Sequence, residues 1–584
     1  MPTSVGCRHP TPSVAGATAS PRLLRLPPGD WYYARVASLS QARSRSATPG
    51  AQASASTLSG VEIAVVTIVA LVGLALRAYG HMQLPRLTDE TLEVRLGWQI
   101  AHGDRLPLVG AQSYIGALYS YLVALVFLVW PLIDAGRLIA VLTGSLTLVA
   151  TYLLGRELGT SDDSPRRGHL VGLLGMLFLT LSGPHIMVSS RIAYSNSLTP
   201  LFATAGLWLL ARALRRREEW SLVGSAFSLS LAVQTHLTAL PVVLGALLAT
   251  LLSVASSWRA SGPRSAWPSR RLMGAAVGVA FLGIANLVVY NATTGLKSLG
   301  MASYRAGRYT QATGQAPALT AWAERLGALV KALALAISHQ VSEYVWPIEQ
   351  LLAPQVVTVV ALACIGLWSC ARRRHLLPLL VTLAVILTIP IVTDRVEPVV
   401  PRVRHYASLL PLGALMVAEG LVSLRGMLAD RLRWRWVAYL LLAGATVTIG
   451  TEAVRSLNAY TAERLSRADK NNLAYLATLR AVAEERTLGE KVYLDDRLAD
   501  VLTMSGGRML THLRFAFELS GQDFGTIDVE VDRLPVGRGR IVSRRLILNA
   551  ESVPLVEQRY RLEPLEGGPP EGTLFRVYRA YAQR

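Results

Sequence analysis

Apolar runs recur along the chain from Val61 to Gly450, separated by short polar stretches. Each approaches the ~20 residues that a helix needs to cross a hydrocarbon core of ~30 Å. Eleven runs are read as spans, near 61–79, 136–155, 168–188, 196–213, 220–236, 238–257, 272–291, 351–371, 375–393, 405–424 and 436–452. A twelfth, Gly116 to Ile133, carries Tyr119, Tyr121, Trp130 and Pro131, with Tyr114 just ahead of it, residues suited to the membrane interface, and is read as a re-entrant or surface-lying hairpin.

The connections set an orientation. Arginine is concentrated at Arg156, Arg166 and Arg167, at Arg212 and Arg215 to Arg217, at Arg259 to Arg271, at Arg372 to Arg374, and at Arg425 to Arg435. These connections alternate with charge-poor ones, and basic connections face the cytoplasm. The N-terminus is then cytoplasmic, and the first loop, about residues 80 to 135, is external. The long loop 293–350 is external as well, with an apolar periodicity at Leu319, Trp322, Leu326, Leu329 and Leu333 that predicts a helix on the membrane surface.

After residue 454 the pattern changes. Leu473, Leu476, Leu479 and Val482 follow a helical period, and Lys491 to Leu494, Arg540 to Leu548 and Leu574 to Tyr578 are strand-like. The expected fold is a polytopic α-helical membrane domain over 60–454, followed by a small extracytoplasmic α/β domain over 455–584. Residues 1–59, rich in Ala, Ser, Pro and Arg, read as a disordered basic leader. No short apolar stretch with a cleavage site precedes the first span, so this is not read as a signal peptide.

Composition agrees. The chain is 52% hydrophobic and only 16% charged, against the ~25% usual for soluble domains. Its net charge of +20 does not point to nucleic acid, because the 20 basic and 18 acidic residues of 455–584 nearly cancel and the excess lies in the membrane half. Cys7, Cys364 and Cys370 form neither a disulfide framework nor a zinc pattern.

Just after the first span stands Arg86-Leu87-Thr88-Asp89-Glu90. Two adjacent acids at the membrane surface fit two readings. In one, Asp89, with Glu90 beside it, is a general base that takes a proton from an attacking hydroxyl. In the other, Thr88 or Asp89 caps a helix and Glu90 favours its dipole.

This stretch resembles the first external loop of the GT-C glycosyltransferases, near the protein O-mannosyltransferases and the aminoarabinose–lipid A transferases. The resemblance continues through Tyr114 to Trp130, Gly136-Arg137-Leu138, Gly155-Arg156-Glu157-Leu158-Gly159 and Ser190-Arg191-Ile192-Ala193-Tyr194. It covers residues 61 to 255 well and 375 to 425 loosely. It implies an external active site, a catalytic acid at Asp89, and a polyprenyl-phosphate sugar as donor.

The class carries a second acid where this chain has Asn196. That departure argues against metal held by two acidic loops, so no metal or other cofactor is expected to be obligatory. A departing lipid phosphate needs cations, and the loop Asp394 to His405 supplies Arg395, Arg402, Arg404 and His405 ahead of Tyr406. Interfacial snorkelling explains such arginines equally in the case of Arg395.

His236 falls between two spans, where it either faces the same cavity or caps the turn. Arg191 is placed to pair with Asp89 or Glu90. Tyr304, Arg305, Arg308 and Tyr309 fit a closing loop or a solvated one, and Glu343 is a weaker candidate acid. Asp495-Asp496 fits a sugar- or metal-binding pair or, more simply, a turn.

The expected reaction is transfer from the lipid-linked donor to a glycan, lipid or protein acceptor of the cell envelope. A transporter or flippase for lipid-linked sugars is the rival, although the chain lacks the repeated halves common in transporters. A non-catalytic relative is the other, favoured by Asn196.

Overall fold

The computed structural model describes residues 59–79, 88–130, 135–160, 165–192, 194–261, 267–300, 318–340, 351–392, 403–431, 435–466, 492–499, 509–520, 524–528, 544–564 and 575–582. By contacts the chain divides into Met1–Ile63 and Ala64–Arg584, and the second unit holds both the membrane helices and the C-terminal sheet.

Helix forms in all eleven segments expected to span. They are Gly60–Ala78, Ala135–Gly159, Pro165–Leu181 with Gly183–Arg191, Thr199–Arg216, Glu219–Thr235, Leu240–Ser261, Arg270–Gly283 with Ala285–Thr294, Pro354–Arg372, Leu377–Val392, Leu410–Arg431 and Arg435–Ser466. Six of the described helices are long and apolar enough to cross a membrane alone, or eight if each of the two bent pairs is one span. The protein is a multi-pass membrane protein.

Both bends have local causes. The first, 66°, falls at Gly183-Pro184, where proline lacks the N–H needed to continue the helix and the Ser182 hydroxyl accepts from the His185 N–H instead. The second, 64°, frees the Gly283 carbonyl, which accepts from Gln234 Nε2 at 2.7 Å. Helices Pro354–Arg372 and Leu410–Arg431 touch backbone to backbone. A Cβ on Gly366 would stand 2.0 Å from the Met416 carbonyl oxygen and one on Gly420 2.0 Å from that of Leu362, so only glycine permits the approach.

Buried carboxylates tie three of the arginine-rich connections together. Glu157 accepts from Arg215 at 2.5 Å and from Arg216 at 2.7 Å. Glu419 takes Arg167 and Arg373, and Arg373 also donates to the carbonyl of Leu158 at 3.1 Å. These connections therefore share one end of the bundle, as a charge-sorted topology requires.

Two of the loop segments singled out in the sequence are helical. Leu118–Val129 is a single helix of 12 residues, about 18 Å long and too short to span. It packs on helix Thr88–Ala101, and the turn before it is closed by a bridge between Val109 and Gly116. The apolar period at 319–333 forms helix Ala318–Ile337. It buries Leu329, Ala332, Leu333, Leu335 and Ala336, while Trp322 and Arg325 donate to the carbonyls of Leu387 (3.2 Å) and Pro390 (3.0 Å) on helix Leu377–Val392.

The C-terminal domain is a five-stranded sheet: β1 Val492–Asp495, β2 Phe524–Ile527, β3 Arg544–Asn549, β4 Tyr560–Pro564 and β5 Phe575–Ala582, in spatial order β2-β1-β3-β5-β4. β1 runs parallel to β2 and β3, whereas β5 is antiparallel to β3 and β4. Three of these strands fall where the sequence indicates them, and the helical pattern at 473–482 lies outside the described residues. Between β1 and β2 runs helix Met509–Ser520, the crossover that a parallel pair needs.

Candidate functional site

Helix Thr88–Ala101 is the organising element. Asp89 sits in its first turn, and the Asp89 side chain lies outside the described residues. Glu90 is 1% exposed and is gripped by Arg137, whose Nε and Nη2 donate to its two oxygens at 2.6 and 3.2 Å. This carboxylate anchors the helix to the start of Ala135–Gly159. A fork of this kind occupies both oxygens of the Glu90 carboxylate and ties them to Arg137 rather than to an acceptor hydroxyl.

Glu93, a residue the sequence did not single out, lies one helical turn beyond Asp89 on the same face. Its carboxylate accepts from the Ser195 backbone N–H at 2.6 Å and from the Ser195 hydroxyl at 3.1 Å. The available signal was spacing: acids at i and i+4 of one helix. Its partner, a serine of a distant loop, has no local signature.

The tied loop carries the next parts of the site. Tyr194, beside Ser195, lies under the Arg404 guanidinium, 4.2 Å from the cation to the ring centroid. Asn196 is 3% exposed, and its carboxamide oxygen has no hydrogen-bond partner. Just upstream, Arg191 ends the π-helical turn Met187–Arg191 and is buried. Its expected pairing with Asp89 lies outside the described residues.

That π-helical turn is gripped from behind. Arg77, wholly buried near the end of the first span, donates to Ser189 Oγ at 3.1 Å, to the carbonyls of Gly73 and Leu179 at 3.0 and 3.2 Å, and to His185 Nδ1 at 2.7 Å. A buried cation satisfied by carbonyls, a hydroxyl and an imidazole is costly to place in a membrane and marks a region held in a fixed geometry.

Next to Arg404, His405 is 7% exposed and Tyr406 is fully buried. The His405 and His236 rings lie 5.5 Å apart by centroid, and Tyr114 meets His236 edge-on at 6.1 Å. His236 Nδ1 accepts from the Thr238 N–H at 3.2 Å, so in the neutral ring the proton sits on Nε2, which makes that atom the donor. His236 therefore caps the turn through one nitrogen, and its ring stands beside His405.

Further bonds close this turn onto the first loop. Gly116 donates its backbone N–H to the Gln234 carbonyl at 2.8 Å, and Asn286 reaches the Leu108 carbonyl at 2.7 Å.

Glu90, Glu93, Tyr194, Asn196, Arg404, His405, His236 and Tyr114 thus form one connected constellation. It gathers at the starts of helices Ala135–Gly159, Thr199–Arg216 and Leu410–Arg431, whereas Glu157, Arg215 and Arg216 cluster at the far ends of the first two. From residue 137 to residue 157 a helix rises about 30 Å, so the constellation and the arginine-rich connections occupy opposite ends of the bundle.

Arg395, Arg402, Tyr304, Arg305, Arg308, Tyr309 and Glu343 lie outside the described residues. Among the described residues, no group of three or more His, Cys, Asp or Glu is placed to hold a metal ion. Asp495 makes a turn: it accepts from the N–H groups of Arg497 and Asn549 at 3.0 and 2.9 Å, tying the end of β1 to that of β3. Burial and the neighbouring Asp528 and Asp495 push the Asp496 carboxyl above its usual range.

The chain has the GT-C fold of polytopic membrane glycosyltransferases. The crystal structures of ArnT from Cupriavidus metallidurans, one bound to undecaprenyl phosphate and one in the apo state, align with it at a TM-score of 0.50. Sequence identity is 13% and 12%, over 89% of this chain and 97% of theirs. The Archaeoglobus fulgidus oligosaccharyltransferase tethered to an acceptor peptide aligns at 0.47 with 13% identity, over 90% of this chain and 74% of that one. No protein-family model and no curated protein matches the sequence.

Proposed function

We propose that this protein is a glycosyltransferase that moves a sugar from a polyprenyl-phosphate donor to a hydroxyl of a cell-envelope glycan, lipid or protein. Asp89 takes the acceptor hydroxyl proton while the oxygen attacks the anomeric carbon. The bond from that carbon to the phosphate oxygen breaks, its electron pair leaves with the phosphate, and one displacement inverts the centre. Arg404, His405 and Arg402 receive the departing polyprenyl phosphate, and the Nε2–H of His236 adds a neutral donor nearby.

The observation that carries this reading is the tie from the acid-bearing helix through Glu93 and Ser195 to Tyr194 and its overlying Arg404. It supports a reading in which the candidate base and a candidate phosphate-binding cation act together, at the end of the bundle away from the basic connections. With those connections cytoplasmic, the reaction takes place on the external face of the cell membrane, as the two-sided charge pattern favours.

The test is release of polyprenyl phosphate from a panel of lipid-linked sugars by the full-length protein in lipid nanodiscs, with envelope extract as acceptor source. Release that vanishes in Asp89→Asn supports the transferase and identifies the donor sugar. No release from any donor rejects it in favour of a transporter or a non-catalytic relative, the latter being the reading that Asn196 favours.

A further inference from the structure

The C-terminal domain has no chemistry of its own in the reaction above, yet it reaches the helix that carries Asp89. Helix Met509–Ser520 uses two opposite faces. Phe517 meets Phe524 of β2, with ring centroids 6.0 Å apart, and so faces the sheet. Phe515, two residues earlier and 1% exposed, joins a cluster with Val94, Tyr119, Val123, Phe127, Ala135 and Leu198. One turn beyond Phe515, on the same face, Glu518 accepts both donors of the Arg95 fork, Nε at 2.7 Å and Nη2 at 2.5 Å.

Thr88–Ala101 is thereby held at four positions by three parts of the chain. Glu90 is held by Arg137, Glu93 by Ser195, Val94 by the cluster around Phe515, and Arg95 by Glu518. The first two ties are internal to the membrane half, the third is shared, because Phe515 enters a cluster otherwise built by the membrane half, and the fourth comes from the sheet domain. An exposed ion pair adds little stability, and the Arg95 and Glu518 side chains keep 34% and 26% exposure. A forked pair beside a buried phenyl ring does fix how a helix is rotated about its axis.

We infer that Phe515 and Glu518 are positioning residues. The sheet domain is a clamp that sets the rotation of helix Thr88–Ala101 and with it the aim of Asp89. For catalysis the inference rests on the transferase reading; the clamp itself does not.

The test uses the full-length protein in nanodiscs as wild type, Glu518→Gln, Glu518→Arg and the reciprocal pair Arg95→Glu with Glu518→Arg. Two quantities are read: hydrogen exchange of amides 88–101, with β3 amides as a control for folding of the sheet, and kcat and KM for the donor. Glu518→Arg is expected to speed exchange at 88–101 while β3 stays protected. It is also expected to lower kcat by about tenfold to a hundredfold with donor KM within about twofold, the penalty of a base misplaced by about 1 Å. Glu518→Gln gives a smaller change in the same direction, and the reciprocal pair restores both quantities.

Unchanged exchange at 88–101 in Glu518→Arg overturns the clamp whatever the catalysis, and so does a reciprocal pair no better than the single variant. Faster exchange with unchanged kcat overturns the positioning role. If the wild type itself releases no polyprenyl phosphate, the transferase reading fails and the exchange arm still decides the clamp.

Discussion

Glu93 holds Ser195 by two hydrogen bonds, one to its backbone N–H and one to its hydroxyl, across 102 residues of sequence. The contact joins the first polar loop to the second and, through the adjacent Tyr194, to Arg404. Removing the carboxylate in Glu93→Ala strands a buried N–H, at a cost of ~1–3 kcal/mol. Thermal unfolding in nanodiscs should show that loss, and donor turnover should fall with it. Glu93→Gln keeps one acceptor oxygen and should recover most of the stability.

Glu90 and Arg137 form an ion pair with almost no exposure on either side chain. Breaking it from one side, in Glu90→Leu or Arg137→Leu, leaves a buried charge without its partner and should cost ~3–5 kcal/mol. The double variant Glu90→Leu/Arg137→Leu should regain much of this by removing both charges. A double-mutant cycle on heat-induced unfolding checks it, and near-additive losses would reject the pair as a coupled unit.

Arg404 stacks on Tyr194 as well as carrying charge. Tyr194→Leu removes the ring and should weaken donor binding about threefold to thirtyfold, in keeping with ~0.5–2 kcal/mol for a cation over an aromatic face. Tyr194→Phe keeps the ring and should bind donor more tightly than Tyr194→Leu. Arg404→Lys retains charge but loses the planar fork, and it should raise the donor KM more than it lowers kcat.

Asp496 lies beside Asp495 and Asp528, and its carboxyl titrates above the usual range through burial first and repulsion second. A raised carboxyl favours the folded state in its protonated form. That contribution is complete below the unfolded value near 3.8 and is lost as pH rises through the higher folded value. Asp496→Asn should therefore stabilise the sheet at neutral pH and give no advantage below about pH 4. Thermal melts of the two full-length proteins across this range measure the difference.

The sequence by itself determined that eleven apolar segments between Val61 and Gly450 are helical and that strands follow residue 454; six of the described helices, or eight with each bent pair as one span, are long and apolar enough to cross a membrane. Each depends on local periodicity and turn chemistry, which a window of residues carries. Asp89, Arg404, His405 and His236 stood out as candidates for a related reason: polar groups beside apolar runs are costly.

Only the tertiary structure decided what these residues meet. It assigned Glu90 to Arg137, brought Glu93 to Ser195, laid Arg404 over Tyr194 and set Glu518 against Arg95 across 423 residues. It also packed the short helix Leu118–Val129 on Thr88–Ala101. Such pairings depend on which helix faces pack together, and that is a property of the whole bundle which no local pattern of apolar and polar positions contains.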